Sequence, residues 1–229
     1  HIGRKVYPAL ADPAAICRSI DRFYANVAPL RTDQDAAPGP ASRTIGIISN
    51  KGGVGKTHIA INMAHVAAMC KKRVLLIDAD LGNADISNKL ALFPDFTLYD
   101  FLLGDMELEN IVEKTPYGFD LIAGSSGEFK LANINYVQRS KFIKSFRKIS
   151  TGYDFAIFDL SAGISSTVLE FALATDEIVI VSTPQDIIAG YACIKASFQH
   201  FKEIEEKLTA KVEFYQPRKV FAPWVIMNQ

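Results

Sequence analysis

A short apolar run, Thr44-Ile45-Gly46-Ile47-Ile48-Ser49, gives way to the glycine-rich stretch Asn50-Lys51-Gly52-Gly53-Val54-Gly55-Lys56-Thr57, and that to the apolar segment Ile59 to Ala67. No other feature narrows the fold so far. The first run reads as a buried strand and the last as a buried helix, so the glycines between them make a tight strand-to-helix turn. Such a turn aims unpaired backbone N–H groups at one spot, and the helix dipole adds partial positive charge there. A polyphosphate is the guest that suits this arrangement. Gly52, Gly53 and Gly55 let the backbone wrap closely. Lys56 is placed to reach β- and γ-phosphates, and the Thr57 hydroxyl to ligate Mg²⁺. The stretch predicts a nucleotide site rather than a glycine-rich turn that binds nothing.

The rest of the chain repeats the alternation of short apolar runs with longer helical patterns. Strand candidates are Val74 to Ile77, Leu121 to Ala123, Phe155 to Phe158, Ile178 to Val181 and Val225 to Met227, with helices expected near 57–70, 136–150, 165–174 and 187–207. Strands that are apolar throughout, separated by helices, predict an α/β fold with a mostly parallel central sheet covered on both faces. Pro223 predicts that the last strand begins late or lies outermost. A chain of 229 residues buries one full core, so one main domain, 44–229, is the default. Residues 1–43 stand apart. Asp12-Pro13 is a helix start, Ile16, Ile20, Phe23 and Val27 recur at helical spacing over 13–28, and Arg31 to Arg43 has the composition of a linker.

Charge and cysteine usage exclude several classes. Lys plus Arg equals Asp plus Glu at 25 each, so no global basic field awaits nucleic acid. Cys17, Cys70 and Cys193 are widely separated and offer neither a disulfide framework nor a metal cluster. No apolar stretch reaches membrane-spanning length, and the expected compartment is the cytoplasm.

In open α/β sheets, ligands bind beyond the carboxyl ends of the strands. Those ends carry Lys51 after the first strand, Asp78 on the second, Gly124-Ser125-Ser126-Gly127 after the third, Asp159 on the fourth, Thr183-Pro184 after the fifth and Asn228 on the last. Acidic, glycine-rich and amide groups are thus expected along one edge beside the phosphate loop. Asp159, closing an apolar run, fits a carboxylate that holds Mg²⁺ through water. Asp78-Ala79-Asp80 supplies two carboxylates, one for the metal's surroundings and one to orient and polarise an attacking water. An aspartate here is equally a good helix N-cap.

The Lys-Gly-Gly-Val-Gly-Lys-Thr run, with Asn50 in place of the usual first glycine and a second lysine inside the loop, resembles the deviant Walker A loop of the MinD/ParA ATPases. The resemblance runs from about Thr44 to Asn228 and implies a three-layer P-loop NTPase fold that binds ATP or ADP with Mg²⁺ and hydrolyses ATP as a homodimer. It implies that Lys51 crosses the dimer interface to the partner's nucleotide; the alternative is a solvated loop cation. It assigns Asp80 to water activation and Asp78, with Thr57 and Asp159, to the metal. It sets Gly52 to Thr57 around the phosphates, with His58 beside the α-phosphate where relatives often carry Thr or Asn. It sets Asn228 on the adenine edge, although a strand-terminal Asn is also a common turn residue.

Asp159-Leu160-Ser161-Ala162-Gly163-Ile164 is similar to the family's second switch, with Gly163 expected to offer an N–H near the γ-phosphate. Relatives usually have proline or glycine where Ser161 stands. Asp78 to Gly82, Ala123 to Gly127, Ala162-Gly163-Ile164 and Thr183-Pro184 followed by Tyr191-Ala192 resemble the flagellar-number regulators beside MinD. That branch implies an N-terminal helix that contacts a signal-recognition-type GTPase, and an amphipathic C-terminal helix, beyond Gln229, that rests on the inner membrane. The rival reading is a DNA-partition ATPase. It would use the basic cluster Arg139, Lys141, Lys144, Arg147 and Lys148 on the 136–150 helix, with Phe142, Ile143, Phe146 and Ile149 facing the core.

Overall fold

The computed structural model describes residues 42–127, 134–211 and 221–228. The helix expected over 13–28 lies outside them. The strands are β1 (Arg43–Ser49), β2 (Val74–Ala79), β3 (Val112–Lys114), β4 (Asp120–Ile122), β5 (Phe155–Ala162), β6 (Glu177–Ser182) and β7 (Trp224–Met227). The helices are α1 (Lys56–Met69), α2 (Ile86–Lys89), α3 (Leu98–Leu102), α4 (Tyr136–Ser150), α5 (Ser166–Leu173) and α6 (Ile187–Lys211). The sheet order is β3-β4-β2-β5-β1-β6-β7. All pairs are parallel except β3 with β4.

Each central strand is buried on both faces, and its alternate residues divide between two cores. Leu75 and Ile77 of β2, Ala156, Phe158 and Leu160 of β5 and Ile178 and Ile180 of β6 join Phe142 and Phe146 of α4, Phe171 of α5 and Cys193 of α6. Ile45 and Ile47 of β1, Leu76 of β2, Ile157 of β5 and Val179 of β6 meet Ala60, Ala64 and Ala67 of α1. The period of two sends one set of side chains to each face, and three alanines let α1 lie close to the sheet. On the other face the rings interlock: Phe146 meets Phe158 edge-on with centroids 4.1 Å apart, and Phe142 lies 5.0 Å from Phe171. Burying each such ring contributes about 1.5–3 kcal/mol.

The four long helices and the six expected strands are all present. Pro223 directly precedes β7, which is outermost. The additions are β3, α2 and α3, all short. Arg43 extends β1 by one residue and is ion-paired with Glu177 of the neighbouring β6. Of the expected core face of α4, Phe142 and Phe146 are buried, and Ile143 and Ile149 pack partly buried against them. Cys193 is free and buried. Among the described residues no helix is long and apolar enough to cross a membrane.

Candidate functional site

The loop after β1 turns through two left-handed glycines, Gly53 at φ 77° and Gly55 at φ 94°. Gly55 has a second reason to lack a side chain. A Cβ there would stand 2.4 Å from Nδ2 of Asn228, which donates to the Val54 carbonyl at 3.0 Å. The structure therefore sets Asn228 against the phosphate loop as a brace, with Val54 buried beneath. Gly52, Gly53, Gly55, Lys56, Thr57 and His58 line a cleft of about 650 Å³ together with Asp80 to Asn83, Asp85 and Lys89 and with Leu160, Ser161 and Ala162. Lys56 is buried and His58 exposed at the start of α1.

Parallel pairing of β2 with β5 puts Asp78 beside Asp159. Both are almost wholly buried, at 1% and 2% exposed. Burial raises the Asp78 carboxyl to about 7, against the donated N–H of Ile86, and the neighbouring Asp159 charge adds to the rise. Burial likewise raises Asp159 to about 6, against the Thr57 hydroxyl bonded to it and the Lys56 charge. Asp78 Oδ2 accepts from the Asp85 and Ile86 amides at 3.0 and 2.9 Å, so it holds the start of α2 as a cap would. Oδ1 of Asp78 and Oδ1 of Asp159 have no hydrogen-bond partner.

Two buried carboxylate oxygens without partners, beside a threonine hydroxyl, make a hard-oxygen donor set that fits a small divalent cation. Among the described residues no group of three or more His, Cys, Asp or Glu forms an all-protein cage. Mg²⁺ binds through one or two carboxylates and completes its shell with phosphate and water.

Asp80 follows β2 on the cleft wall, and its Oδ1 accepts from the Ser161 hydroxyl at 2.8 Å and the Asn83 N–H at 3.1 Å. The loop it begins rests on the turn after β4. Ser126 donates to the Ala84 carbonyl, and a Cβ on Gly124 would stand 2.5 Å from the Ala84 Cβ. Lys51 points elsewhere: its Nζ lies 2.6 Å from Asp186 Oδ1, while Asp186 Oδ2 accepts from Thr183 Oγ1 at 2.9 Å. Gly163, at φ 108°, donates its N–H to the Ser49 carbonyl at 2.8 Å. In this conformation that N–H is engaged within the sheet, not offered to the cleft as expected.

The structure thus gathers Lys56, Thr57 and Asp80 around one cleft, keeps Asp78 and Asp159 buried beside one another, and leaves Lys51 outside the cleft lining. Asp186 and Ser161 were not singled out as site residues. The signals for them were Thr183-Pro184, which starts the turn carrying Asp186, and the departure at Ser161 itself.

A family model for an AAA domain matches residues 42–214. The antiactivator FleN of Pseudomonas aeruginosa is 35% identical over 155 residues, 67% of this chain and 55% of FleN. The flagellum site-determining protein YlxH of Helicobacter pylori is 32% identical over 165 residues, 71% of this chain and 56% of YlxH. The chain therefore spans little more than half the length of these relatives. Among solved structures, the septum site-determining protein MinD of Pyrococcus horikoshii, complexed with Mg-ADP, superposes with a TM-score of 0.59 at 24% identity, covering 72% of this chain and 65% of MinD. With the fold, the loop and the sequence matches in agreement, the chain belongs to the MinD/ParA family of deviant Walker A P-loop ATPases, in the company of FleN and YlxH.

Proposed function

We propose that this chain is a dimerising molecular-switch ATPase of the MinD/FlhG type, which hydrolyses ATP to control the placement or number of a cellular structure, flagella being the candidate. One observation carries the reading: the phosphate loop, with Lys56 buried within it, lines one cleft with Asp80, close to two buried carboxylates with unfilled oxygens. Likeness to the flagellum site-determining protein YlxH supports the flagellar role.

The amides of Gly52 to Thr57 hold the phosphates, Lys56 reaches the β- and γ-groups, and His58 stands beside the α-phosphate. Magnesium, held by Thr57 and Asp159 with Asp78 behind them, would neutralise charge on the terminal phosphates. Asp80 orients and polarises the attacking water. Lys51 leaves Asp186 and reaches across to the nucleotide of a second copy, where it offsets charge as an arginine finger does. Asn228 is the candidate for the adenine edge.

Residues 44–229 form the ATPase unit, and 1–43 an appended helix and linker that would meet a signal-recognition-type GTPase.

Phosphate release and light scattering test the reading together. The native chain should dimerise with ATP and Mg²⁺ and hydrolyse, and Asp80→Ala should lose about 10²–10⁴-fold in rate while still binding nucleotide. A chain that stays monomeric in saturating ATP and Mg²⁺ overturns the dimer; failure to bind adenine nucleotide at millimolar concentration overturns the whole reading.

The DNA-partition alternative is not favoured by the structure. Arg139 is paired with Glu170 at 2.7 Å, Lys148 with Glu109 at 2.8 Å, and Lys141 donates to the Phe101 carbonyl at 3.1 Å. Three members of the basic cluster are thus engaged within the chain.

A further inference from the structure

We infer that Ser161 is a positioning residue for hydrolysis, holding the Asp80 carboxylate in the orientation in which it meets water. The inference rests on the role proposed for Asp80 and deepens it.

The placement follows from strand register. β2 pairs with β5 as Asp78 with Asp159 and Ala79 with Leu160, so one further step sets Asp80 opposite Ser161. On its other side β5 meets β1 out of step. Ile47 pairs with Asp159 but Ser49 pairs with Ala162, so two steps along β1 span three along β5. The extra residue falls at Leu160–Ser161, where the β1 register shifts while the β2 register does not. Ser161 follows Asp159 by two residues and so shares its face of the strand, and its hydroxyl meets the carboxylate across the register, 2.8 Å away.

Both residues line the cleft. The oxygen that accepts from Ser161 also accepts the Asn83 N–H at 3.1 Å, so two donors on different elements fix the rotation of one carboxylate. That commits Oδ1 to the protein and reserves Oδ2 for the proton of the attacking water. The Asn83 N–H belongs to the same loop as Asp80 and moves with it. Ser161 stands on a central strand and does not, so it ties the carboxylate to the rigid sheet. A carboxylate held only by its own loop turns more freely, and small losses of alignment at the reacting atoms lower the rate steeply.

Steady-state hydrolysis by the full chain, run on four proteins in parallel, tests this. Ser161→Ala should lower kcat about tenfold and leave KM for ATP within about twofold, because the lost contact acts on the reaction rather than on nucleotide binding. Ser161→Thr, which restores the hydroxyl, should recover most of that loss. Asp80→Ala sets the floor. Nucleotide affinity by fluorescence and the thermal unfolding midpoint show that each variant is folded. Native kcat in Ser161→Ala, a Ser161→Thr as slow as Ser161→Ala, or a change in KM alone each overturns the positioning role while Asp80→Ala remains inactive. Native hydrolysis by Asp80→Ala would instead remove the reading of Asp80, and this inference with it.

Discussion

The ammonium of Lys51 is ion-paired with Asp186 at 2.6 Å, within its own chain. Asp186 is held in turn by Thr183, and its carboxyl is kept below the usual range, first by Lys51 and then by Thr183. The lysine side chain remains 58% exposed, so the pair is one that water and salt weaken readily. It parks Lys51 beside Asp186 without locking it there.

Release of Lys51 should therefore be easy but measurable. Asp186→Asn is expected to raise the apparent affinity of ATP-dependent dimerisation by about two- to fivefold, the scale of one exposed ion pair. Lys51→Ala should abolish the ATP-dependent gain altogether. Sedimentation at low and at moderate salt checks both, with the Asp186→Asn advantage shrinking as salt rises; an unchanged dimer in Lys51→Ala would return that residue to the role of a solvated loop cation.

Gly55 offers a sharper test of the cradle. Alanine there must adopt φ near 94° and displace the Asn228 amide from a point 2.4 Å away. The left-handed conformation alone costs about 1–2 kcal/mol. Nucleotide affinity should fall at least about tenfold, and titration calorimetry would read it. Gly52→Ala, where nothing lies within 4 Å of the added carbon and φ is not left-handed, should bind far better than Gly55→Ala.

The two buried carboxyls predict how the nucleotide-free chain responds to pH. Asp78 and Asp159 are raised from 3.8 to about 7 and about 6, so the fold prefers them protonated. Their contribution to stability is full below about pH 4 and is lost as pH rises through 6 and 7. Urea midpoints measured from pH 4 to 8 should fall more steeply for the native chain than for Asp78→Asn, which keeps a neutral side chain throughout. Parallel curves would show that Asp78 is not held protonated. Saturating Mg²⁺ and nucleotide should reverse the loss at neutral pH, by neutralising the same oxygens.

The basic face of α4 yields a negative expectation with a definite measurement. With Arg139 and Lys148 ion-paired and Lys141 lying 4.5 Å over the Phe101 ring, the ATP form should show no salt-sensitive retention of duplex DNA at low salt. Retention that weakens steeply with salt would revive the partition reading.

The sheet and the long helices were legible because each is an apolar run long enough to signal itself. β3 was not: Val112-Glu113-Lys114 is three residues, mostly polar, and is a strand only because β4 lies beside it. α2 exists because Asp78 captures two of its amides, a bond spanning seven and eight residues that no periodicity reveals. The phosphate loop and the carboxylates could be read one by one because each sits in or just after an apolar strand run. Their partners could not. Asp186 meets Lys51 across 135 residues and Ser161 meets Asp80 across 81, contacts set by register and strand order. Asp159 was expected to close its strand, yet β5 runs three residues past it, and that extension carries Ser161.

Gly124 leaves no space between the end of β4 and the loop that begins at Asp80, since an added carbon would meet Ala84 and, at 2.8 Å, the Asp78 carbonyl. The loop thus has a solid floor under it and an open cleft in front. Travel downward is blocked by packed atoms, and travel forward is resisted only by a few polar bonds. A bulkier residue at 124 would therefore act as a wedge, pushing the loop away from the turn after β4.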